Sequence, residues 1–343
     1  MVEATNKEKI HFAVVGAGHI GKRHIEMIVR HPEADLIAVS DLCSKNELGL
    51  EGLEAPFYNS LEEMLAQHPE IDVVCIATPN GLHASQALYC LQQKKHVVVE
   101  KPMALSTADA ERMIFQSFES SKHVFVVMQN RYSPPSVWIK DLIESNTLGQ
   151  IYMVQINCYW NRDERYYNGK TWHGRKDMDG GTLFTQFSHF IDIMYWLFGD
   201  ITNIQGRFAD FNHKHLTDFE DSGMVTFDFV KGGMGSLNYS TSVSEKNFES
   251  SLTVIAERGT VKIGGQYMNE VEYCQVQGYE MPELPPSNPA NNYGPYKGSA
   301  ANHVFVIENV VDTLRGRSSA KTNALEGLKV VDIIERVYNI RIH

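Results

Sequence analysis

A glycine-rich turn near the start of the chain restricts the fold more than any other feature of the sequence. Residues 10–15 are a short β-branched and apolar run, and Gly16, Gly18 and Gly21 follow before a helical pattern of apolar residues begins. In a strand–turn–helix unit with this spacing, the first glycine permits the tight turn, the second lets the backbone approach a pyrophosphate, and the third lets the helix pack closely on the strand. The N–H groups at the helix N-terminus then bind the anion. We therefore expect a dinucleotide to be bound by Gly16, Gly18, His19, Ile20 and Gly21.

The end of the next predicted strand indicates which dinucleotide is bound. Asp41 follows the apolar run 36–40, and Leu42 rather than an arginine comes after it. A carboxylate at this point accepts hydrogen bonds from the adenosine ribose and repels a 2′-phosphate. The expected cofactor is therefore NAD rather than NADP.

Strand and helix patterns keep alternating along the first part of the chain, which predicts an α/β Rossmann domain over residues 1–131. The polar segments 77–80 and 100–102 follow two further buried strands. Ligands of open α/β sheets bind beyond the carboxyl ends of the strands, so we expect both segments to border the cofactor. Lys101 on its own has two interpretations, a solvated surface charge or a partly desolvated ammonium that donates to a substrate hydroxyl. The additional cofactor-binding residues are expected to be Thr78, Asn80, His83, Glu100 and Lys101.

The regular alternation of strand and helix stops after residue 131. Hairpins are predicted at Gly232-Gly233 and at Arg258-Gly259. The order of strands and helices predicts an α+β domain over 132–343 with a mostly antiparallel open sheet. We expect this domain to bind the substrate and to form a homodimer or homotetramer through the open sheet face.

The segment 161–181 is too polar for a core and too aromatic for a linker. Its basic residues Arg162, Arg165, Lys170, Arg175 and Lys176 interleave with Tyr166, Tyr167 and Trp172. Aromatic faces stack on sugar rings, and guanidinium groups bind carboxylates and phosphates in a bidentate manner. The segment is therefore either a solvated loop or a substrate loop for an anionic sugar. Further candidates for the substrate site follow in a later polar and aromatic segment, at Tyr293, Tyr296, Asn302 and His303.

A helix is predicted from Thr182 to Phe198, where Gly199 ends it. The residues Thr185, His189, Asp192 and Trp196 fall on one stripe of this amphipathic helix. A lone histidine on such a helix is either a packed core residue or a catalytic base. The stripe alone leaves both interpretations of His189 open.

The composition excludes several other classes of protein. The formal net charge of −11 and the absence of a Lys/Arg block disfavour a nucleic-acid partner. No apolar run reaches the length of a membrane span, and the polar N-terminus lacks the features of a secretory signal, so we expect a cytoplasmic protein. Five widely spaced cysteines make no Cys-x-x-Cys pair, which predicts neither disulfides nor a zinc site. No metal is expected.

Three segments together resemble a known family. The Gly-x-Gly-x-x-Gly turn, "ATPNGLHASQAL" at 77–88 and "VVVEKPMAL" at 97–105 are similar in sequence and spacing to the Gfo/Idh/MocA family of NAD(P)-dependent sugar and polyol dehydrogenases. The resemblance implies that Lys101 contacts the hydroxyl being oxidised and that Asn80 lies near the nicotinamide ribose. It also implies that His189 is the base that accepts the hydroxyl proton.

Position 185 departs from the pattern of that family. Its members carry an Asp four residues before the catalytic histidine, whereas this chain has Thr185. A threonine hydroxyl can bond to a substrate hydroxyl but cannot hold a charge. In this respect the chain resembles members that act on nucleotide-linked N-acetylated sugar acids rather than on free inositol. The expected substrate-binding residues are Lys101, Arg131, Arg162, Trp172, Arg175, Thr185, Gln186, His189 and Tyr293.

We therefore expect an NAD-dependent oxidoreductase that oxidises a secondary hydroxyl of a sugar, uronate or nucleotide-sugar substrate. Lys101 and His189 are the expected catalytic residues. Two alternatives remain, a glycoside hydrolase that uses NAD transiently and a non-catalytic regulator that binds NAD or sugar. Net production of NADH distinguishes the dehydrogenase from the hydrolase.

Overall fold

The computed structural model describes residues 9–168, 172–294 and 296–342. The chain forms two compact units, of which the first comprises the chain up to Val127 together with His303–Leu328. The second comprises Met128–Asn302 and the residues from Lys329 onward. Within the described residues, no helix has both the length and the apolar character that a membrane span needs.

The first unit contains a parallel sheet with helices between its strands. Its elements are β1 (Ile10–Val15), α1 (His19–Arg30), β2 (Ala34–Ser40), β3 (Phe57–Tyr58), α2 (Leu61–Gln67), β4 (Val73–Ile76), α3 (His83–Gln92), β5 (His96–Val99), α4 (Thr107–Ser120) and β6 (Val124–Val126). The six strands lie in the order β3-β2-β1-β4-β5-β6, and every pair is parallel. The central strands β1 and β4 are almost entirely buried, as strands between two helix layers are. The predicted Rossmann fold is confirmed.

The second unit is built on a larger, mixed sheet. Its elements are α5 (Pro134–Glu144), β7 (Ile151–Tyr159), α6 (Glu164–Tyr167), a π-helical turn (Leu183–Phe187), α7 (Ser188–Phe198), β8 (Ile201–Ala209), β9 (Ser222–Phe229), β10 (Met234–Ser240), β11 (Glu249–Ala256), β12 (Gly259–Gly264), β13 (Glu270–Val276), β14 (Ala290–Asn292) and β15 (Lys297–Ala300). Seven strands lie in the order β13-β12-β11-β7-β10-β9-β8, in which β7 and β10 are parallel and the other neighbours antiparallel. The predicted mostly antiparallel sheet and both hairpins are confirmed. Two helices close the chain, α8 (His303–Leu314) and α9 (Ala324–Asn339).

The two faces of the larger sheet have different surroundings. On one face, the Phe187 ring from the π-helical turn packs against Trp160 and Tyr239. The other face leaves five large apolar side chains in solvent, Met153, Met224, Met234, Ile255 and Tyr273, and strand pairing places Met234, Met153 and Ile255 side by side. The second unit therefore has one packed and one open sheet face.

The segment His303–Leu328 belongs to the first unit, whereas the sequence analysis assigned all of 132–343 to the second domain. Helix α8 packs against α1, and the Thr322 hydroxyl donates to the carbonyl oxygen of Val126 at 2.5 Å. The N-terminal segment of the first unit ends at Val127, whereas the sequence predicts a boundary at residue 131. Sequence order cannot show that a chain returns to an earlier unit, because the contacts that bring it back join residues far apart in the sequence.

Candidate active site

In the first unit, the glycines of the turn between β1 and α1 meet different requirements. Gly16 has a φ of +83°, and a Cβ on it would approach the Ala77 backbone to 2.7 Å. A Cβ on Gly21 would lie 1.8 Å from the Gly16 carbonyl oxygen. Among the described residues, a Cβ on Gly18 would meet no atom within 4 Å. Gly16 and Gly21 therefore close the turn, while the space at Gly18 is open to a ligand.

The start of α1 and the end of β2 give this turn the chemistry of a dinucleotide site. Within the described residues, α1 begins at Gly18 without a side-chain capping hydrogen bond, and the N-terminus of a helix favours an anion such as a pyrophosphate. The Asp41 carboxylate accepts hydrogen bonds from Ala17 N at 2.6 Å and from Cys43 N at 2.8 Å. It therefore lies beside the turn, where it can accept hydrogen bonds from ribose hydroxyls. These residues fit NAD.

Asp41→Ser is expected to weaken the preference for NAD. A hydrogen bond to a charged group contributes about 1.5–3 kcal/mol, so its loss should raise the KM for NAD about 10- to 100-fold. The KM for NADP should fall, because the 2′-phosphate no longer meets a carboxylate. Steady-state kinetics with both cofactors measures the two changes. Asp35→Ser, which removes an exposed acid of the same unit, is the control, and an unchanged ratio of the two KM values would contradict this role of Asp41.

His83 joins the segments that follow β4 and β5. Its ring is buried, with Nδ1 at 2.7 Å from the Pro102 carbonyl oxygen and Nε2 at 2.8 Å from the Thr78 carbonyl oxygen. The Thr78 hydroxyl donates to the Gln86 side chain at 2.6 Å, and the peptide bond between Lys101 and Pro102 is cis. His83 therefore supports the two segments, and its expected contact with the cofactor, like that of Thr78, stays a prediction.

The sequence predicts Glu100 at the cofactor, but the structure directs its carboxylate into a buried cluster. Glu100 Oε1 lies 2.9 Å from Nε2 of His24 on α1 and 3.4 Å from Nε2 of His303 on α8. Burial lowers the pKa of His24, but interactions with Cys75 and Glu100 outweigh it and raise the pKa to about 10. Burial raises the pKa of Glu100, and the bonds and charges of His24 and His303 bring it well below its usual value. A buried ion pair thus fixes the residue that precedes Lys101.

Sequence reasoning missed this cluster. It assigned His303 to the substrate site, whereas His303 is buried in the first unit. The available signal for His24 was its place on the buried face of α1. Ligand atoms of His24, Glu100 and His303 lie within 4.8 Å of one another, a spacing that could also hold a metal ion. The observed contacts, His24 and His303 against Glu100, make the cluster a buried support of the segment that follows β5.

In the second unit, His189 lies near the start of α7 in a fully buried stretch of helix. The side chains of Leu183–Phe187 and of the first seven residues of α7 are all buried. The sequence predicts one continuous amphipathic α-helix. The structure differs in two ways, because the helix is not α-helical throughout and its first turns are buried all round rather than on one face. The first turn is a π-helix, and aromatic rings of the sheet on one side and polar residues of 161–181 on another cover the helix. His189 is 3% exposed, and π-helical turns of this kind are frequent at functional sites.

The Thr185 hydroxyl bonds to Asp179, a residue that sequence reasoning did not single out. Thr185 Oγ1 donates to the Asp179 carbonyl oxygen at 2.8 Å and also contacts its carboxylate. Asp179 is 1% exposed and directly precedes the Gly180-Gly181 turn. An acidic residue beside two glycines was the only sequence signal for it.

Arg162 and Gln186 form a buried polar network with Tyr166. Arg162 Nε donates to Gln186 Oε1 at 2.6 Å, and Gln186 Nε2 donates to the Tyr166 hydroxyl at 2.8 Å. The Arg162 guanidinium also lies over the rings of Trp160, Tyr166 and Tyr296, at 4.8 to 5.1 Å from their centroids. The structure thus brings together Arg162 and Gln186, two of the expected substrate-binding residues.

The other expected arginines have carboxylate partners. Arg131 forms a buried bidentate ion pair with Asp192 on α7, with Nε–Oδ2 at 2.8 Å and Nη2–Oδ1 at 2.6 Å. At the surface, Arg165 pairs with Asp163 and Arg175 with a neighbouring aspartate. Lys170 lies outside the described residues. Arg131 and Arg175 therefore both have carboxylate partners within the protein, and their expected contact with the substrate stays a prediction.

The two aromatic candidates pack against other rings. The Trp172 centroid lies 3.9 Å from that of His173, and the Tyr293 centroid lies 5.2 Å from that of Tyr296. Tyr166 contacts both His173 and Tyr296. Trp172 and Tyr293 therefore belong to one aromatic cluster around Tyr166.

Comparison with known proteins gives a family for both parts of the chain. Residues 10–128 match the family described as "Oxidoreductase family, NAD-binding Rossmann fold", and residues 137–262 match the "GFO/IDH/MocA C-terminal domain". The inositol 2-dehydrogenase of Rubrobacter xylanophilus is 28% identical over 269 residues, which cover 75% of this chain and 72% of that protein.

Two solved structures are similar over nearly the whole chain. The WlbA dehydrogenase from Bordetella pertussis, in complex with NADH and UDP-GlcNAcA, is 32% identical with a TM-score of 0.86, covering 97% of this chain and 96% of that one. The WlbA dehydrogenase from Chromobacterium violaceum, with the same ligands, is 31% identical with a TM-score of 0.87, covering 98% and 94%. This chain is therefore an oxidoreductase of the GFO/IDH/MocA family, with an NAD-binding Rossmann domain.

Proposed function

We propose that this chain catalyses the NAD-dependent oxidation of a secondary hydroxyl on an anionic sugar derivative, specifically a nucleotide-linked sugar acid. The main support for an anionic substrate comes from the surroundings of Arg162. The complexes of the two WlbA relatives with UDP-GlcNAcA support the same class.

Arg162 is a buried cation, and none of the described residues pairs a carboxylate with it. Four of its N–H donors bond instead to uncharged oxygens, those of the Gln186 and Asn247 side chains and the Asn161 and Lys297 carbonyls. An uncompensated buried charge costs several kcal/mol, and burial lowers the pKa of Arg162 accordingly. A substrate carboxylate that pairs with the guanidinium would offset this cost. The site therefore favours an anion.

We assign the chemical step to Lys101 and His189. Lys101 donates a hydrogen bond to the reacting hydroxyl and orients it, and His189 accepts the hydroxyl proton. The carbinol carbon loses a hydride, for which NAD is the acceptor, so that the alcohol becomes a carbonyl and the products are NADH and one proton. General-base catalysis of this kind contributes roughly 10²–10⁴-fold in rate.

Arg162→Gln is expected to remove the preference for an anionic sugar. The KM for UDP-GlcNAcA should rise about 10- to 100-fold, the loss expected for a hydrogen-bonded charge pair. The KM for UDP-N-acetylglucosamine, whose sugar is uncharged, should change far less, because that sugar brings no carboxylate. NADH formation at 340 nm measures both reactions, and its net accumulation also separates a dehydrogenase from a hydrolase that recycles NAD.

Arg165→Gln is the matched control, because it removes an exposed arginine of the same segment that already pairs with Asp163. Arg162→Lys keeps the charge without the planar fork and should give an intermediate KM. Equal losses for the acidic and the neutral sugar, in a variant that melts like the wild type, would count against a carboxylate at Arg162.

We also propose that the open face of the larger sheet forms the interface of a homodimer or homotetramer. Met153, Met224, Met234, Ile255 and Tyr273 are more than two-fifths exposed there. Monomeric proteins rarely expose large apolar patches on one face.

A further inference from the structure

Asp179 and Thr185 form a fixed hydrogen-bonded pair in the second unit. Beside its contacts with Thr185 Oγ1, the Asp179 carboxylate accepts a hydrogen bond through Oδ2 from Gly174 N at 2.9 Å. Both side chains are buried. The carboxylate is therefore held from two sides, by its own loop and by the π-helical turn that carries Thr185.

The types of the groups determine where the Thr185 proton points. A threonine hydroxyl has a single proton, whereas carbonyl and carboxylate oxygens only accept. The proton of Thr185 is therefore committed to Asp179, and toward any ligand the Thr185 oxygen acts as an acceptor. Hydrogen bonds to an ionised acceptor are about twice as strong as neutral ones, so a ligand does not readily reverse this direction.

The negative charge of Asp179 acts on the residues around it. Burial raises the pKa of Tyr166 and of Tyr167, and the charge of Asp179 raises both further. Tyr166 in turn accepts a hydrogen bond from Gln186, the residue after Thr185. Two consecutive residues of the π-helical turn thus have separate buried partners: Asp179 orients Thr185, and Tyr166 orients Gln186.

We propose that Asp179 is a positioning residue of the active site, which acts through Thr185 to present a hydrogen-bond acceptor to the substrate. This inference rests on the proposed function, because it takes Thr185 to face the sugar. The substrate must then carry a donor at this point, a hydroxyl or an amide N–H, and a carbonyl or carboxylate in the same place is rejected.

The test uses the full chain with NAD and UDP-GlcNAcA. On the pH plateau, Asp179→Asn and Thr185→Val should each lower kcat/KM about 10- to 100-fold, the loss of one hydrogen bond to a charged group. The double variant should be no less active than Thr185→Val, because Asp179 orients the substrate only through Thr185. Thr185→Ser should restore the activity lost in Thr185→Val. Thr202→Val, which changes an exposed threonine of β8, is the control for the substitution itself.

Rescue by Thr185→Ser gives a readout that a merely structural role would not move, because serine restores the hydroxyl but not the methyl group of the side chain. If Asp179→Asn fails to fold, the comparison of Thr185→Val with Thr185→Ser still decides, because neither variant alters the bond from Gly174.

The outcomes separate this inference from the function on which it rests. Two results would overturn this inference alone, provided that the wild-type chain oxidises the substrate. One is a double variant whose loss equals the sum of the two single losses, and the other is full activity in Thr185→Val. Calorimetric binding of UDP-GlcNAcA without oxidation would overturn the proposed reaction, and the same four variants would then be compared by their dissociation constants. A wild-type chain that neither binds nor oxidises an anionic sugar would overturn both.

Discussion

His189→Gln should lower kcat by roughly 10²–10⁴-fold, the contribution typical of a general base. Glutamine has a similar size and can form hydrogen bonds, but it cannot take up the proton that the alcohol loses. The dissociation constant of NADH should stay near the wild-type value, because the substitution leaves the residues that fit NAD, Gly16, Gly18 and Asp41, unchanged. Stopped-flow measurement of the hydride step, together with NADH titration, checks both expectations.

His215→Gln provides the control, because it changes an exposed histidine of the same unit. A His189→Gln variant that keeps turnover within about threefold of wild type would mean that water or another group accepts the proton. In that case His189 would be a packed core histidine, the other interpretation that its sequence pattern allows.

Arg131→Met should destabilise the second unit by about 3–5 kcal/mol. The side chains of Arg131 and Asp192 are only 4% and 1% exposed, so the substitution leaves a carboxylate buried without its bidentate partner. All four tryptophans, Trp138, Trp160, Trp172 and Trp196, belong to this unit. Their fluorescence during urea unfolding therefore reports the second unit without a contribution from the first.

The double variant Arg131→Met/Asp192→Leu tests the physical reason. Replacing a buried ion pair by apolar side chains of similar volume is often neutral, so the double variant should recover most of the lost stability. Arg175→Met breaks an ion pair with more than half of each side chain exposed, and such pairs contribute about 0–1 kcal/mol. If Arg131→Met unfolds at the same urea concentration as the Arg175→Met control, the buried ion pair does not stabilise the second unit as proposed.

The features that could be predicted from the sequence depend on neighbours along the chain. The spacing of Gly16, Gly18 and Gly21, with a buried strand before and a helix after, specifies a turn that only local sterics control. The alternation of strands and helices then predicts the parallel sheet, and the Gly232-Gly233 pair predicts a hairpin. Each turn and each strand or helix in this list depends on residues close together in the sequence.

The features that could not be predicted depend on residues distant in the sequence. The basic residues of 161–181 look equivalent as a pattern, yet only the structure shows that Arg162 is buried without a carboxylate partner among the described residues. Arg131 is expected at the substrate and Glu100 at the cofactor, but the sequence does not show that Asp192 lies beside Arg131 or that His24 and His303 lie beside Glu100. The π-helical turn likewise follows from tertiary packing, because its residues fit a regular helical pattern equally well.

The return of His303–Leu328 to the first unit has a consequence for biosynthesis. Ribosomes add about 5–20 residues per second, so roughly 10–40 s pass between the emergence of Val127 and that of Leu328. Through this interval the nascent nucleotide-binding unit lacks α8, and the Glu100 carboxylate has only one of its two histidine neighbours. The first unit therefore completes its fold only after residues 128–302 of the second unit have been synthesised.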